Sequence, residues 1–198
     1  KRLAPMGELA DSGVIGFSDD GNPVADANLM RQALSYSVEL GLPIINHAED
    51  KKIGAGGVMS AGTVATRLGL AGVPAEAETA MVARDLHLAD LTKARLHIPH
   101  ISTVGSLVAL RTAKESGVDV TAEVTPHHLT LSDEWVYGLK GEVPATVGSE
   151  AYDTNTKVNP PLRSRADVEA VIDALNEGLI DIIATDHAPH AATDKVCT

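Results

Sequence analysis

Ile180-Asp181-Ile182-Ile183-Ala184-Thr185-Asp186-His187-Ala188-Pro189-His190 is the stretch on which the reading of the fold turns. Its β-branched run reads as a short buried strand. The run then stops at a carboxylate and two imidazoles grouped around Pro189. Titratable groups at the carboxyl end of a buried strand are where an α/β barrel keeps its chemistry. The pattern recurs upstream: the run at 13–18 ends in Asp19-Asp20, that at 42–46 in His47, that at 95–99 in His100, and that at 118–124 in Thr125-Pro126-His127-His128. A chain built only for packing has little reason to repeat this. Helical patterns separate the runs, which makes the strands parallel. The expected class is α/β, a partial (β/α)8 TIM barrel in a single domain over residues 1–198, because five such strands are too few to close eight.

With 198 residues, 44% of them apolar and 22% charged, the chain can bury a sizeable core. Its formal net charge of -11 argues against a nucleic-acid backbone or an anionic membrane as partner. No apolar run approaches the roughly 20 residues that span a bilayer, and nothing at the start reads as a signal peptide. The single Cys197 leaves no internal disulfide and suits a reducing, cytoplasmic setting. Starting at Lys1 and stopping soon after the most informative stretch, the sequence reads as a piece of a longer polypeptide.

Taken in order, residues 1–11 look like the tail of a preceding helix. Residues 26–40 carry apolar positions at loose helical spacing, with Asp26 or Asn28 as N-cap and Gly41 as the stop. Helical pattern returns at 61–70 and at 75–91, where Glu76, Glu78, Arg84, Asp85 and Lys93 mark the wet face. The glycine-rich 54–57 segment lacks the spacing and lysine of a phosphate-binding loop and reads as a flexible turn. A helix over 106–116 closes at Gly117. Residues 129–158 form the longest irregular region, and the 131–155 part of it lies where a lid or an oligomer contact would sit. Two prolines then fix a bend at Asn159-Pro160-Pro161-Leu162-Arg163, and Ser164 caps a helix over 165–176.

Placed at the carboxyl ends of parallel strands that curve round an axis, Asp20, His47, His100 and Asp186 converge on one mouth. Two imidazoles and two carboxylates suit Zn²⁺ or a similar divalent ion. Such an ion lowers the pKa of bound water to about 7, and an aspartate beside that water can shuttle its proton. Hydrolysis is the natural reaction class. Neighbouring residues point to opposite faces, so alternation leaves the choice between Asp19 and Asp20 open, and likewise that between His127 and His128. The same alternation puts His97 on the face away from His100, in a structural role. His87 reads as a solvated histidine in mid-helix.

Phe17-Ser18-Asp19-Asp20-Gly21, Asn46-His47-Ala48-Glu49, His100-Ile101-Ser102-Thr103, Ala122-Glu123-Val124-Thr125-Pro126-His127-His128, Asn159-Pro160-Pro161-Leu162-Arg163 and Ala184-Thr185-Asp186-His187-Ala188-Pro189-His190 resemble, in that order, the bacterial class I dihydroorotase family of the amidohydrolase superfamily. The resemblance runs over essentially the whole chain, corresponding to strands 4 to 8 of that family's barrel. It implies reversible conversion of dihydroorotate and water to N-carbamoyl-L-aspartate at a centre of one or two zinc ions, with metal-bound hydroxide as nucleophile. It implies His47 and His100 as ligands of one metal, Asp20 as the bridging carboxylate, Asp186 as ligand of the other metal and general acid/base, and Asn159 and His190 as substrate-holding groups. It also implies a small-molecule substrate, a homo-oligomer and an association with aspartate carbamoyltransferase. The family's His-x-His pair is absent from this sequence, so the chain alone is expected to be inactive. Two other readings share these motifs. An allantoinase- or hydantoinase-type enzyme would carry a lysine at the strand end where Asp19-Asp20 stands, and a non-catalytic dihydroorotase-like scaffold for the carbamoyltransferase would tend to lose its metal ligands.

Overall fold

The computed structural model describes residues 2–19, 21–138, 147 and 150–195. In chain order the elements are α1 (Met6–Asp11), β1 (Phe17–Ser18), α2 (Ala27–Leu40), β2 (Ile44–Ile45), β3 (Met59–Ser60), α3 (Thr63–Leu68) and β4 (Gly72–Val73). There follow α4 (Glu76–Thr92), β5 (Leu96–Ile98), α5 (Val104–Glu115), β6 (Val120–Val124), α6 (Pro126–Thr130), α7 (Arg165–Asn176) and β7 (Ile182–Ile183). Short 3₁₀ turns occupy Asp133–Tyr137, Thr154–Thr156 and Ala192–Lys195.

The five apolar runs become β1, β2, β5, β6 and β7, which form one sheet in that order, every pair parallel. Strand alternation divides the sheet. Leu96, Ile98, Val120, Ala122 and Val124 are buried with Leu34 of α2, Val82 of α4, Leu110 of α5 and Val171 of α7 in one apolar core. Ser18, Ile45, His97 and Thr121 stand in register across four strands on the opposite face. That second face is wetter: Ser18 and Thr121 are exposed, and Ile45, His97 and Glu123 are only half-buried.

The helix ends follow from named side chains. Asp26 accepts from the Leu29 amide at 2.8 Å to start α2, and Gly41 at φ 68° ends it in the left-handed conformation. Thr103 caps α5 by accepting from Ser106 N at 3.3 Å, and Ser164 caps α7 through Asp167 N at 3.3 Å.

Three readings of the sequence change. The segment at 1–11 holds a short helix of its own, α1. The parallel pair of β3 and β4 was not expected, since two-residue strands show no periodicity, and it packs over a satellite core of Met59, Val64, Ala65, Leu68 and Tyr137. Glu78 and Asp85 do not face water: their exposures are 4% and 0%. Polarity alone suggested a wet face, whereas each of these carboxylates is buried because it anchors a loop. The lid or contact segment at 131–155 lies partly outside the described residues, and its described part contributes the Tyr152 hydroxyl bond to the Leu68 carbonyl, 2.8 Å.

Candidate active site

A cleft of about 300 Å³ opens at the carboxyl ends of the sheet strands, lined by Asp19, His47, His100, Glu123, Asn159 and Asp186 among others. The two imidazoles form its floor. Both are buried, and His47 Nδ1 stands 2.9 Å from His100 Nε2 with the rings edge to face. On its other side His47 presents Nε2 to the Glu49 carboxylate at 3.1 Å. An ionised carboxylate only accepts, so Nε2 carries the proton and Nδ1 keeps its lone pair toward His100. The hydrogen bond to His47 holds the Glu49 carboxyl below its usual pKa despite partial burial. Burial pushes His100 down to about 4, so its ring is neutral at physiological pH.

Strand termini aim these groups. His100 has φ 39° and Asp186 φ 47°, left-handed conformations that non-glycine residues adopt only where the surroundings hold them. Such strain concentrates at functional sites. His97 bonds Thr121 Oγ1 at 2.8 Å and Glu123 Oε2 at 3.1 Å on the neighbouring strand and does not itself line the cleft. Asp19 accepts the His47 amide on both carboxylate oxygens at 3.1 Å, and burial raises its pKa. It therefore fixes the end of β2. Asp20 lies outside the described residues.

Asn159 reaches the floor as well: its Nδ2 is 3.1 Å from Glu49 Oε2 and 3.1 Å from His47 Nε2, and the carboxylate is the partner that can accept. Behind β2, Asn46 donates to Asp85 at 2.5 Å, and Asp85 in turn pairs with Arg84 at 2.7 Å. Of the two adjacent histidines, His128 is the buried one. Its Nε2 donates to the Pro160 carbonyl at 3.0 Å, which leaves Nδ1 to accept from Thr125 Oγ1 at 2.7 Å. His127 is half-buried and feels the charge of Asp186. His87 is exposed on α4, and His190 is exposed and does not line the cleft.

The cleft thus brings together Asp19, His47, His100, Asn159 and Asp186 and adds Glu123, while Glu49 stands behind it, bonded to His47 and Asn159; the sequence singled out neither glutamate. For Glu49 the signal was its place two residues after His47. Among the described residues no group of three His, Cys, Asp or Glu stands close enough together to hold an ion. The donor chemistry nevertheless fits one. His47 Nδ1 and His100 Nε2 face each other at 2.9 Å, the former accepting from the latter, with one ring neutral by burial and the other set by a carboxylate behind it.

Residues 2–106 match the family model described as Dihydro-orotase-like. The chain is 54% identical to a dihydroorotase of Pelotomaculum thermopropionicum over 195 residues, which is 98% of this chain and 43% of that protein. It is 50% identical to a dihydroorotase of Caldanaerobacter subterraneus, again over 98% of this chain and 42% of that one. The chain therefore spans about two fifths of the length of the curated relatives it matches. Among solved structures, an L-hydantoinase (dihydropyrimidinase) from Arthrobacter aurescens superposes with TM-score 0.76 at 23% identity, over 96% of this chain and 42% of that chain. A D-hydantoinase from Bacillus sp. AR9 gives TM-score 0.74 at 20% identity over 94% and 40%. The fold is accordingly part of a TIM barrel. No helix among the described residues is long and apolar enough to cross a membrane.

Proposed function

The chain belongs to the dihydro-orotase-like family, and on that premise we propose that its protein is a zinc-dependent dihydroorotase, opening the ring amide of dihydroorotate to give N-carbamoyl-L-aspartate and closing it in reverse. The observation that carries this reading is the approach of His47 Nδ1 to His100 Nε2, 2.9 Å, on the floor of a cleft that also holds Asp186 and Asn159. His47 and His100 would hold one cation, with Asp20 as the carboxylate shared with a second and Asp186 as a ligand of that second. A bound divalent ion supplies Lewis acidity and a water acidic enough to attack an amide at neutral pH.

The chain's own residues do the rest. Glu49 keeps the proton of His47 on Nε2 and so keeps Nδ1 available. Asp186, at the rim of the cleft, takes the proton of the attacking water and passes it to the departing ring nitrogen. Asn159 presents its amide to the substrate from the opposite wall, and His190 is the group proposed for the substrate carboxylate. The same reading gives zinc at one or two ions per subunit, a cytoplasmic setting, and a homo-oligomer in contact with aspartate carbamoyltransferase as the assembly to look for.

The test uses the full-length protein. Zinc is measured by elemental analysis beside dihydroorotate hydrolysis for the wild type and for Asp186→Ala. Bound zinc with activity that falls at least 100-fold in the variant supports the assignment. A metal-free, inactive wild type would replace it with a non-catalytic scaffold.

A further inference from the structure

Glu78 and Arg163 belong to none of the roles above, yet they form the most enclosed charged pair near the cleft, 5% and 3% exposed in their side chains and 3.5 Å apart. Glu78 projects from the first turns of α4 into the loop that follows His100. Its Oε1 accepts from Ser102 N at 3.0 Å and from Thr103 N and Oγ1 at 3.1 Å each, and its Oε2 accepts from Ser102 Oγ. Arg163 comes from the other wall. Its Nε donates to Ser102 Oγ at 3.0 Å and Nη1 to the Val73 carbonyl at 3.4 Å, while its own carbonyl accepts from Asp133 N at 2.7 Å.

We infer that Glu78 and Arg163 are positioning residues for the proposed reaction, a buried strut that fixes the loop bearing His100 relative to the loop bearing Asn159. The inference rests on the proposed function for the meaning of those two loops, and on geometry for the link between them. His100 is held at φ 39°, a conformation the chain leaves unless its neighbours are tied. The three residues after it are tied: Ile101 N donates to the Glu123 carbonyl at 2.9 Å, and Ser102 and Thr103 are gripped by Glu78. On the other side only Pro160, Pro161 and Leu162 separate Asn159 from Arg163, and proline φ angles are fixed. A movement of the guanidinium is therefore passed to Asn159, and through Ser102 to His100.

Stability alone gives little reason for this pair. Two charges taken out of water contribute little net stability, and apolar residues of similar volume often serve as well or better. Burial by itself would drive Glu78 toward neutrality, but Arg163 and the Ser102 hydroxyl and amide hold its carboxyl below the usual range. What an apolar pair cannot do is grip two amides and two hydroxyls with directional bonds.

The experiment takes Arg163→Lys and Glu78→Gln in the full-length protein, with Asn159→Ala alone and combined with Arg163→Lys. Zinc affinity is read by competition with a chromophoric chelator, folding by thermal unfolding, and kcat and KM with dihydroorotate. The expected result is folded variants with zinc affinity lowered roughly 10–100-fold, the loss typical when a group supporting a ligand is removed. The kinetic loss of Arg163→Lys should nearly vanish in the Asn159→Ala background, as it must if Arg163 acts through Asn159. A pair that is merely structural would lower the melting temperature while leaving zinc affinity and kinetics within about twofold, or would multiply its kinetic effect with that of Asn159→Ala; either result overturns the inference, as does failure of both single variants to fold. A wild type that binds zinc but does not hydrolyse dihydroorotate overturns the proposed substrate alone, and the zinc readout still decides the strut. A wild type that binds no zinc overturns both.

Discussion

Acidification should destabilise this protein through His128 by an amount the structure lets one work out. The ring is 3% exposed, and its neutral form is fully satisfied: Nε2 donates to the Pro160 carbonyl and Nδ1 accepts from Thr125. Burial, with the nearby His127, lowers its pKa from 6.5 to about 4. An unfolded chain takes up the proton as pH falls through 6.5, while the folded chain refuses it until about 4. The stability contributed by neutral His128 is therefore whole above pH 6.5 and is lost as pH falls toward 4. At about 1.36 kcal/mol for each tenfold change in proton affinity, the whole effect is about 3.4 kcal/mol, of which about 2 kcal/mol is gone by pH 5.0. The wild type alone cannot isolate this. His100 acts in the same direction, whereas Asp85 and Asp133, raised to about 6 mainly by burial, gain protons on folding and oppose it. The comparison is with His128→Gln, whose amide keeps a donor near Pro160 and does not titrate. Urea unfolding at pH 7.5 should show the variant about 1 kcal/mol less stable for the lost Thr125 bond. Between pH 7.5 and 5.0 the wild type should lose about 2 kcal/mol more than the variant, or about 4–8 °C in melting temperature for a domain of this size. Equal losses in the two proteins would refute the assignment of a buried neutral ring.

Two further outcomes are expected. Glu49→Gln removes the charge that sets the proton on His47 Nε2, so zinc affinity should fall about 10-fold or more by chelator competition with little change in melting temperature; unchanged affinity would mean that Glu49 only fills space. Gly72→Ala puts a methyl 2.4 Å from the Ala61 Cα and 2.9 Å from its nitrogen, backbone atoms that cannot swing aside. A loss of about 1–3 kcal/mol is expected by urea titration, and a neutral result would show that β3 and β4 are not packed as described.

How much of this was legible in the sequence depended on whether a residue's neighbours in the chain were also its partners. The five sheet strands could be read because each β-branched run ends at a titratable group. The cap Ser164 could be read because a cap acts within three residues of itself. Asp26 and Asn28 remained alternatives until the Leu29 amide was seen to choose the former. Glu78 and Asp85 were misread because their partners Ser102 and Asn46 lie 24 and 39 residues away. A buried acid is indistinguishable from a wet one until its partner is known. Of Asp20, His47, His100 and Asp186, grouped from the sequence, the last three line one cleft and Asp20 lies outside the described residues; Asn159, drawn from the resemblance, lines it too, whereas Glu49 and Glu123 required the geometry.

The order of the sheet has a consequence for synthesis. Apart from the excursion through β3 and β4, each strand pairs with the one completed just before it. Contacts of modest sequence separation favour rapid folding, and a parallel sheet laid down in chain order gives every emerging βα unit a finished edge to join. At a ribosomal rate of about 5–20 residues per second, β1 and β2 can be paired seconds before β7 is made. The cleft is then completed last, when Asn159 and Asp186 arrive over imidazoles already in place.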